Sequence, residues 1–259
     1  MAGAGDPSLS APAAAARMFG DSVASAEKYA ELLTGIGVER GVVGPAEADR
    51  IWDRHLLNCG AVAHLVPARA TVVDLGSGAG LPGVVLAILM PGLRMTLLEP
   101  LARRVEFLSE CVATLGLANV QVVRGRAEEF AGRLLADVVT SRAVAPLDKL
   151  AGLSASLARP GGRVLAIKGS SAEAELAKAR PVLARMGVAD ARIVQAGSAA
   201  DGSAATVVTF TVPDHRPSGK GGGRSATQSG IRPPGRPSGP AAGAANSRKS
   251  RPNSRRGGG

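Results

Sequence analysis

The chain has 259 residues, with 31 Lys and Arg against 21 Asp and Glu, a formal net charge of +10. Residues 213–259 hold 10 basic side chains and a single acid, Asp214, while residues 1–212 hold 21 basic and 20 acidic groups, so a near-neutral body carries a basic tail and the charge does not mark the body as a nucleic-acid binder. Two cysteines, Cys59 and Cys111, exclude a disulfide scaffold and a CxxC metal site, and the longest apolar run, Val84 to Pro91, falls far short of the roughly 20 residues that span a bilayer.

The Ala-rich start, residues 1–20, has no apolar stretch behind a charged leader and reads as a flexible segment, not a secretory signal. Residues 22–36 read as a helix, with Asp21 or Ser22 as N-cap and Gly37 as the stop. Gly41 to Gly44 is a turn. Pro45 opens a second helical stretch toward Val66 with a break near Arg54, and the whole of 21–70 reads as a helical region packed on the domain that begins at Thr71. There the pattern changes. Thr71–Leu75 is a short apolar strand ending in a Gly-rich turn, and Pro82 stands at the first position of a helix that runs to Met90.

Strands follow at Met95–Glu99, Val120–Val123, Asp137–Ser141 and Val164–Lys168, with helices at 102–115, 147–158 and 172–186 between and after them. Two further strands, near 191–195 and 205–212, have no helix between them. The alternation predicts an α/β domain over 71–212: a mostly parallel seven-stranded sheet with helices on both faces and an antiparallel hairpin at one edge. Residues 213–259 carry 11 Gly, 7 Pro and 7 Ser and no aromatic, and read as a disordered basic tail.

The chemistry sits in Asp74-Leu75-Gly76-Ser77-Gly78-Ala79-Gly80, which follows the first strand and precedes a helix. In a doubly wound sheet ligands bind at that place. A dinucleotide fingerprint needs glycine where Leu81 stands, and no Walker Gly-Lys-Ser/Thr is present. Asp74, two residues before the first glycine, repels a pyrophosphate and suits a ligand with an ammonium group and no phosphate. S-adenosylmethionine is such a ligand. Glu99, ending the next strand, is placed to accept both ribose hydroxyls, and Gly76 and Gly78 let the backbone approach closely; the alternative is an ordinary tight turn.

VVDLGSGAGLPGVVLAI, LLEPLARRVEFL, NVQVVRGRAEEF, DVVTSRAVAPL and GGRVLAIKG occur in that order, with IWDRHLLNC upstream. This set resembles the RsmG (GidB) methyltransferases over about residues 20–212; the tail stands outside the resemblance. The resemblance implies a class I, Rossmann-like fold. It also implies a cytoplasmic bacterial enzyme that moves a methyl group from S-adenosylmethionine to N7 of one guanine of 16S rRNA, near the decoding centre of the small ribosomal subunit. By motif, Gly76 and Leu81 line the cofactor, Ala127 and Glu128 hold its adenine end, and Arg142 is a further cofactor contact. No metal and no membrane are implied, and the enzyme is expected to be a monomer.

N7 of guanine has a lone pair and no proton to lose, so alignment for in-line attack, not a general base, supplies the rate. No Asn/Asp-Pro-Pro-aromatic motif and no Pro-Cys nucleophile occur, in keeping with that chemistry. Lys168, at the end of the fifth strand, is read either as holding an RNA phosphate or guanine O6, or as a solvated strand-end lysine. His55 either touches the pocket or RNA, or packs; Trp52 either stacks on a base or is core. Arg103 and Arg104 are read as phosphate contacts or a solvated face, Asp148 as a helix-start acid, and His64 and His215 have no informative context. A small-molecule or other RNA acceptor, a non-catalytic module and an NAD-dependent oxidoreductase are the competing classes; Asp74 and Leu81 disfavour the last.

Overall fold

A computed structural model describes residues 11–198 and 203–214; residues 1–10 of the expected flexible segment and the tail from His215 onward lie outside them. Seven strands form one sheet: β1 Thr71–Leu75, β2 Arg94–Glu99, β3 Val120–Arg124, β4 Ala136–Arg142, β5 Ala158–Lys168, β6 Arg192–Ala196 and β7 Ala205–Thr211, in the order β3-β2-β1-β4-β5-β7-β6. The first five are parallel. β7 is antiparallel to both β5 and β6, which gives the expected edge hairpin.

Side chains alternate across the sheet with the strand period of two. Val72, Val138, Leu165 and Val207 face one core, and Val73, Val139, Val164 and Val208 face the other. α6 (Gly83–Leu89) and α7 (Ala102–Thr114) cover the first face, and α8 (Leu147–Leu157) and α9 (Ala172–Arg185) cover the second. The chain runs outward from β1 through β2 to β3, then returns to lay β4 on the other side of β1. The carboxyl ends of β1 and β4 therefore flank the switch point, where an open α/β sheet leaves a crevice.

The first face also receives the N-terminal helices: α1 Ala13–Phe19, α2 Val23–Thr34, α3 Ile36–Glu39, α4 Pro45–Ala48 and α5 Asn58–Gly60. Helical region and sheet belong to one compact unit. Within the segment 1–20 expected to be flexible, Ala13–Phe19 is helical, with Ala15 and Phe19 buried. Alanine is the best helix former, and Phe19 anchors the turn by packing its ring against Trp52, centroids 6.5 Å apart at 75°.

Helix α2 stops at Gly35 rather than Gly37, and Ser22 takes the N-cap position without a side-chain cap bond. Gly37 instead lies against the Phe107 ring, where a Cβ would sit at 3.4 Å. The break in the second helical stretch falls at Asp49 and Arg50, where α4 ends, and Ile51–Leu57, which includes Arg54, is a wide π turn that runs into α5. β5 begins earlier than the apolar run suggested, because Ala158 pairs with Ala136 before the register shifts to Val138 opposite Arg163.

Candidate functional site

β1 delivers the chain into a turn whose Gly76, Gly78 and Gly80 have φ of +65°, +60° and +96°. A side chain in that left-handed region costs about 1–2 kcal/mol. At Gly76 a Cβ would also come within 2.8 Å of Val144 Cγ2, so the loops after β1 and β4 touch through glycine. The turn is pinned from three sides. The N–H groups of Gly76 and Ser77 donate to Leu98 O at 2.8 and 3.2 Å, Gly78 N–H donates to Glu99 Oε2 at 2.9 Å, and the Tyr29 hydroxyl donates to Ala79 O at 2.6 Å. Burial raises the Tyr29 pKa well above the ordinary tyrosine value, so the donor stays protonated. Tyr29 carried no motif signal; only the packing of α2 brings it here.

Asp74 and Glu99, the two acids singled out in the sequence, are both buried beneath the turn. Asp74 is fully buried. Its Oδ2 accepts Gly83 N–H at 3.0 Å and its Oδ1 accepts the Thr140 hydroxyl at 3.0 Å. The first N–H groups of a helix have no partner within it, so a carboxylate placed there both satisfies a donor and meets the positive end of the helix dipole. Asp74 therefore joins β1 to α6 and β4 from beneath the turn. Pro82 is accordingly the residue before the helix, not its first member. Burial pushes the Asp74 pKa up to about 6. Glu99 is also buried, its Oε1 accepting Leu101 N–H at 3.0 Å. Each of its oxygens keeps further lone pairs.

Two cavities open at the carboxyl end of the sheet. One of about 250 Å³ runs along Gly76, Ser77, Gly78, Ala79 and Leu81 and includes Arg104; the other, of about 600 Å³, includes Arg54, Asn58, Val144, Lys168 and Glu175. Glu47, His55, Arg142 and Ala143 line both, so the two meet there. Ala143 has φ of +57°, a conformation uncommon for residues other than glycine and found at sites where the surroundings fix the backbone. Arg142 Nη2 lies 2.8 Å from His55 Nδ1 and Nη1 donates to Arg54 O at 3.3 Å, while His55 Nε2 lies 2.7 Å from Glu47 Oε2.

Lys168 is not free for a phosphate. Its ammonium donates to Ala145 O at 2.7 Å, pairs with Glu175 Oε2 at 2.9 Å and is 7% exposed, so it braces the loop after β4. Ala127 and Glu128 open a short 3-10 turn after β3; Ala127 is buried, Glu128 is exposed, and neither lines the two cavities. Trp52 is core, 7% exposed. Arg104 Nη1 stands 3.9 Å from Glu99 Oε2, whereas Arg103 is exposed. Asp148 pairs with Lys178 at 3.2 Å, and His64 Nδ1 lies 2.8 Å from Ala61 O. Both thiols are buried and free, and burial raises their pKa to about 11 at Cys59 and about 12 at Cys111. Among the described residues no group of His, Cys, Asp and Glu side chains is arranged to hold a metal ion, and no helix is long and apolar enough to cross a membrane.

The family model described as "GidB: rRNA small subunit methyltransferase G" matches residues 22–201. The chain belongs to the GidB (RsmG) family. Its relatives include the "Ribosomal RNA small subunit methyltransferase G" of Thermobifida fusca, 56% identical over 199 residues that cover 77% of this chain and 84% of that one. The protein of the same name from Salinispora tropica is 58% identical over 181 residues, 67% of this chain and 75% of that one. Among solved structures, P. horikoshii TYW2 in complex with MeSAdo superposes with a TM-score of 0.50 at 14% identity, over 62% of this chain and 63% of that one. The fold of this GidB-family chain is thus that of the S-adenosylmethionine-dependent methyltransferases, a Rossmann-like α/β sheet with an antiparallel edge.

Proposed function

We propose that the protein methylates ribosomal RNA with S-adenosylmethionine as donor, and that the acceptor is N7 of one guanine of 16S rRNA near the decoding centre, within the small ribosomal subunit. The observation that carries this reading is the pair of cavities meeting at Arg142, one along the glycine turn and one wide enough for a base. The family relationship supports the choice of RNA as acceptor.

The residues along the turn fit the donor. Gly76, Ser77, Gly78 and Ala79 present their backbone to the cavity, and Arg104 Nε in the same wall is buried without a hydrogen-bond partner. Gly76, Gly78 and Leu81 would hold the donor from the turn, with Glu99 beneath it and Arg142 at the far wall. Ala127 and Glu128 stand on the same edge of the sheet, beyond β3, for the adenine end. Bound there, the donor supplies an electrophilic methyl group on a sulfonium.

Everything else asked of this chain is placement. Guanine N7 attacks with its own lone pair, so no side chain has to remove a proton, and in-line alignment supplies the rate. Positive charge moves onto the ring as the methyl group arrives. Acceptors facing the ring favour that step, and Glu47 and Glu175 stand in the wall of the larger cavity. The enzyme acts as a cytoplasmic monomer in this reading.

The test is a methylation assay with labelled donor and small ribosomal subunits from cells lacking the modification, with deproteinised rRNA in parallel. N7-methylguanine is mapped by reduction and chain scission. Label at a single guanine near the decoding centre, in subunits and not in bare RNA, is the expected result. Label in neither, with donor binding intact, overturns the choice of acceptor.

A further inference from the structure

Arg142 closes the border between the two cavities, but a guanidinium on a strand end swings freely unless its donors are engaged. Here they are. Arginine has no lone pair to offer, so at 2.8 Å the His55 Nδ1 must accept from Arg142 Nη2. The ring proton then sits on Nε2, which donates to Glu47 Oε2 at 2.7 Å. Glu47 Oε1 is held in turn by Arg54 Nη1 at 3.2 Å. The relay joins α4, the π turn and β4, elements whose residues stand 87 apart in sequence at the His55–Arg142 link. His55 is only 9% exposed. No motif in the cofactor loop predicts this arrangement; it exists because the helical region folds over the switch point.

We propose that Glu47 and His55 are positioning residues: Glu47 fixes the tautomer of His55, and neutral His55 holds the Arg142 guanidinium where the donor cavity meets the acceptor cavity. The proposal rests on the methyl-transfer reading of the cleft. It has a chemical consequence. A proton on Nδ1 puts an N–H against the Arg142 N–H groups and breaks the link, so acid releases Arg142. Burial and the nearby Arg142 charge hold the His55 pKa below the ordinary histidine value, against the opposing pull of Glu47, which keeps the ring neutral around pH 7. The charged groups facing the ring are Glu47 from α4, Arg142 from β4 and Arg54 from its own turn, with Lys168 and Glu175 on the same cavity wall. Asp74, under the glycine turn, is a second group titrating in this range.

Two substitutions separate the two ring nitrogens. His55→Asn leaves an amide oxygen near the place of Nδ1 and keeps the acceptor for Arg142. His55→Gln reaches the place of Nε2 and keeps only the link to Glu47. Both are made in the full chain, and thermal unfolding checks that each folds. Expected is a fall in kcat/KM for small subunits of about ten- to a hundredfold in His55→Gln, the scale of a mispositioned group, with at least tenfold of it recovered in His55→Asn. The loss in His55→Gln should reside mainly in kcat, with the KM for subunits changing little. The acid limb of the wild-type pH profile should be shallower in His55→Asn, which keeps Asp74 but has no ring to protonate. Nitrogen NMR of the three imidazoles in the free protein provides a readout that needs no turnover: His55 should show an unprotonated Nδ1 and a protonated Nε2, and binding of S-adenosylhomocysteine should weaken as that ring titrates.

A protonated Nδ1 at neutral pH, equal activity of folded His55→Asn and His55→Gln, or an unchanged acid limb in His55→Asn overturns the proposal. Absence of methyl transfer by the wild type would instead count against the acceptor assignment. In that case the tautomer, and S-adenosylhomocysteine binding to the two variants, still decide the relay.

Discussion

The Asp74 carboxylate lies fully buried between the end of β1 and the start of α6, with one donor on each oxygen. Its folded pKa of about 6 lies above the ordinary 3.8, so the folded protein binds this proton more tightly than the unfolded chain does. The stability this contributes is fully present below pH 3.8 and is lost as pH rises through about 6. A difference of that size is worth about 3 kcal/mol. Asp74→Asn should remove most of it. The amide oxygen can take Gly83 N–H, and the amide N–H can donate to Thr140 once that hydroxyl turns. Urea unfolding across pH 4.5 to 8 should show the stability of Asp74→Asn rising relative to the wild type as pH increases through about 6, all other titrating groups being shared; a difference that does not change with pH would place the proton elsewhere. The sequence revealed an acid ahead of the glycines but not what it faces, because its partners arrive from Gly83, nine positions on, and Thr140, sixty-six positions on. Lys168 teaches the same lesson: a strand-end lysine reads as free until α9 brings Glu175 against it.

At the scale of elements, the strands were legible because each is a short apolar run closed by Gly, Pro or a polar turn, and all seven lie close to their expected places. The helical region was less so. Its segments are short, its π turn carries the apolar period through Arg54 without a break, and the burial of Phe19 depends on Trp52, more than thirty residues away. Contacts that long-range leave no local pattern. Gly83 illustrates how closely two elements can be joined. A Cβ there would overlap Leu97 Cδ2 and stand 2.7 Å from Asp74 Oδ2 and 2.9 Å from Asp74 Cβ. Alanine is a better helix former than glycine, by about 1 kcal/mol, so propensity alone predicts that Gly83→Ala stabilises. Overpacking opposes this by about 1–3 kcal/mol, and the neighbours here are a strand and a buried carboxylate with little room to yield. Gly83→Ala is therefore expected to lower the urea midpoint at unchanged slope, and to weaken S-adenosylhomocysteine binding because α6 and the glycine turn move together. A raised midpoint would show that α6 can shift without cost.

On the scale of the whole molecule, charge and site are separated along the chain. The cleft is built from residues 42–175, whereas residues 215–259 carry ten basic side chains and no acid. An RNA substrate distinguishes these two contributions, because contacts to phosphate depend on salt and contacts to the donor do not. Each phosphate neutralised steepens the fall of log K with log salt by about 0.7 to 0.9. Removing residues 215–259 should flatten that slope for binding to small subunits by several such steps at most, since ten cations set the ceiling. The affinity loss should be largest at low salt and shrink toward physiological ionic strength, where screening has already weakened the contribution. Affinity for S-adenosylhomocysteine should not change, because the walls of both cavities are supplied by residues 42–175. The tail has no aromatic side chain on which bases could stack, so no sequence preference should be lost with it. Titrations of both proteins against small subunits at several salt concentrations decide the matter. An unchanged slope would mean that the ten charges do not meet RNA and that the near-neutral body binds the particle alone. A loss of S-adenosylhomocysteine affinity would mean that the tail supports the cleft itself.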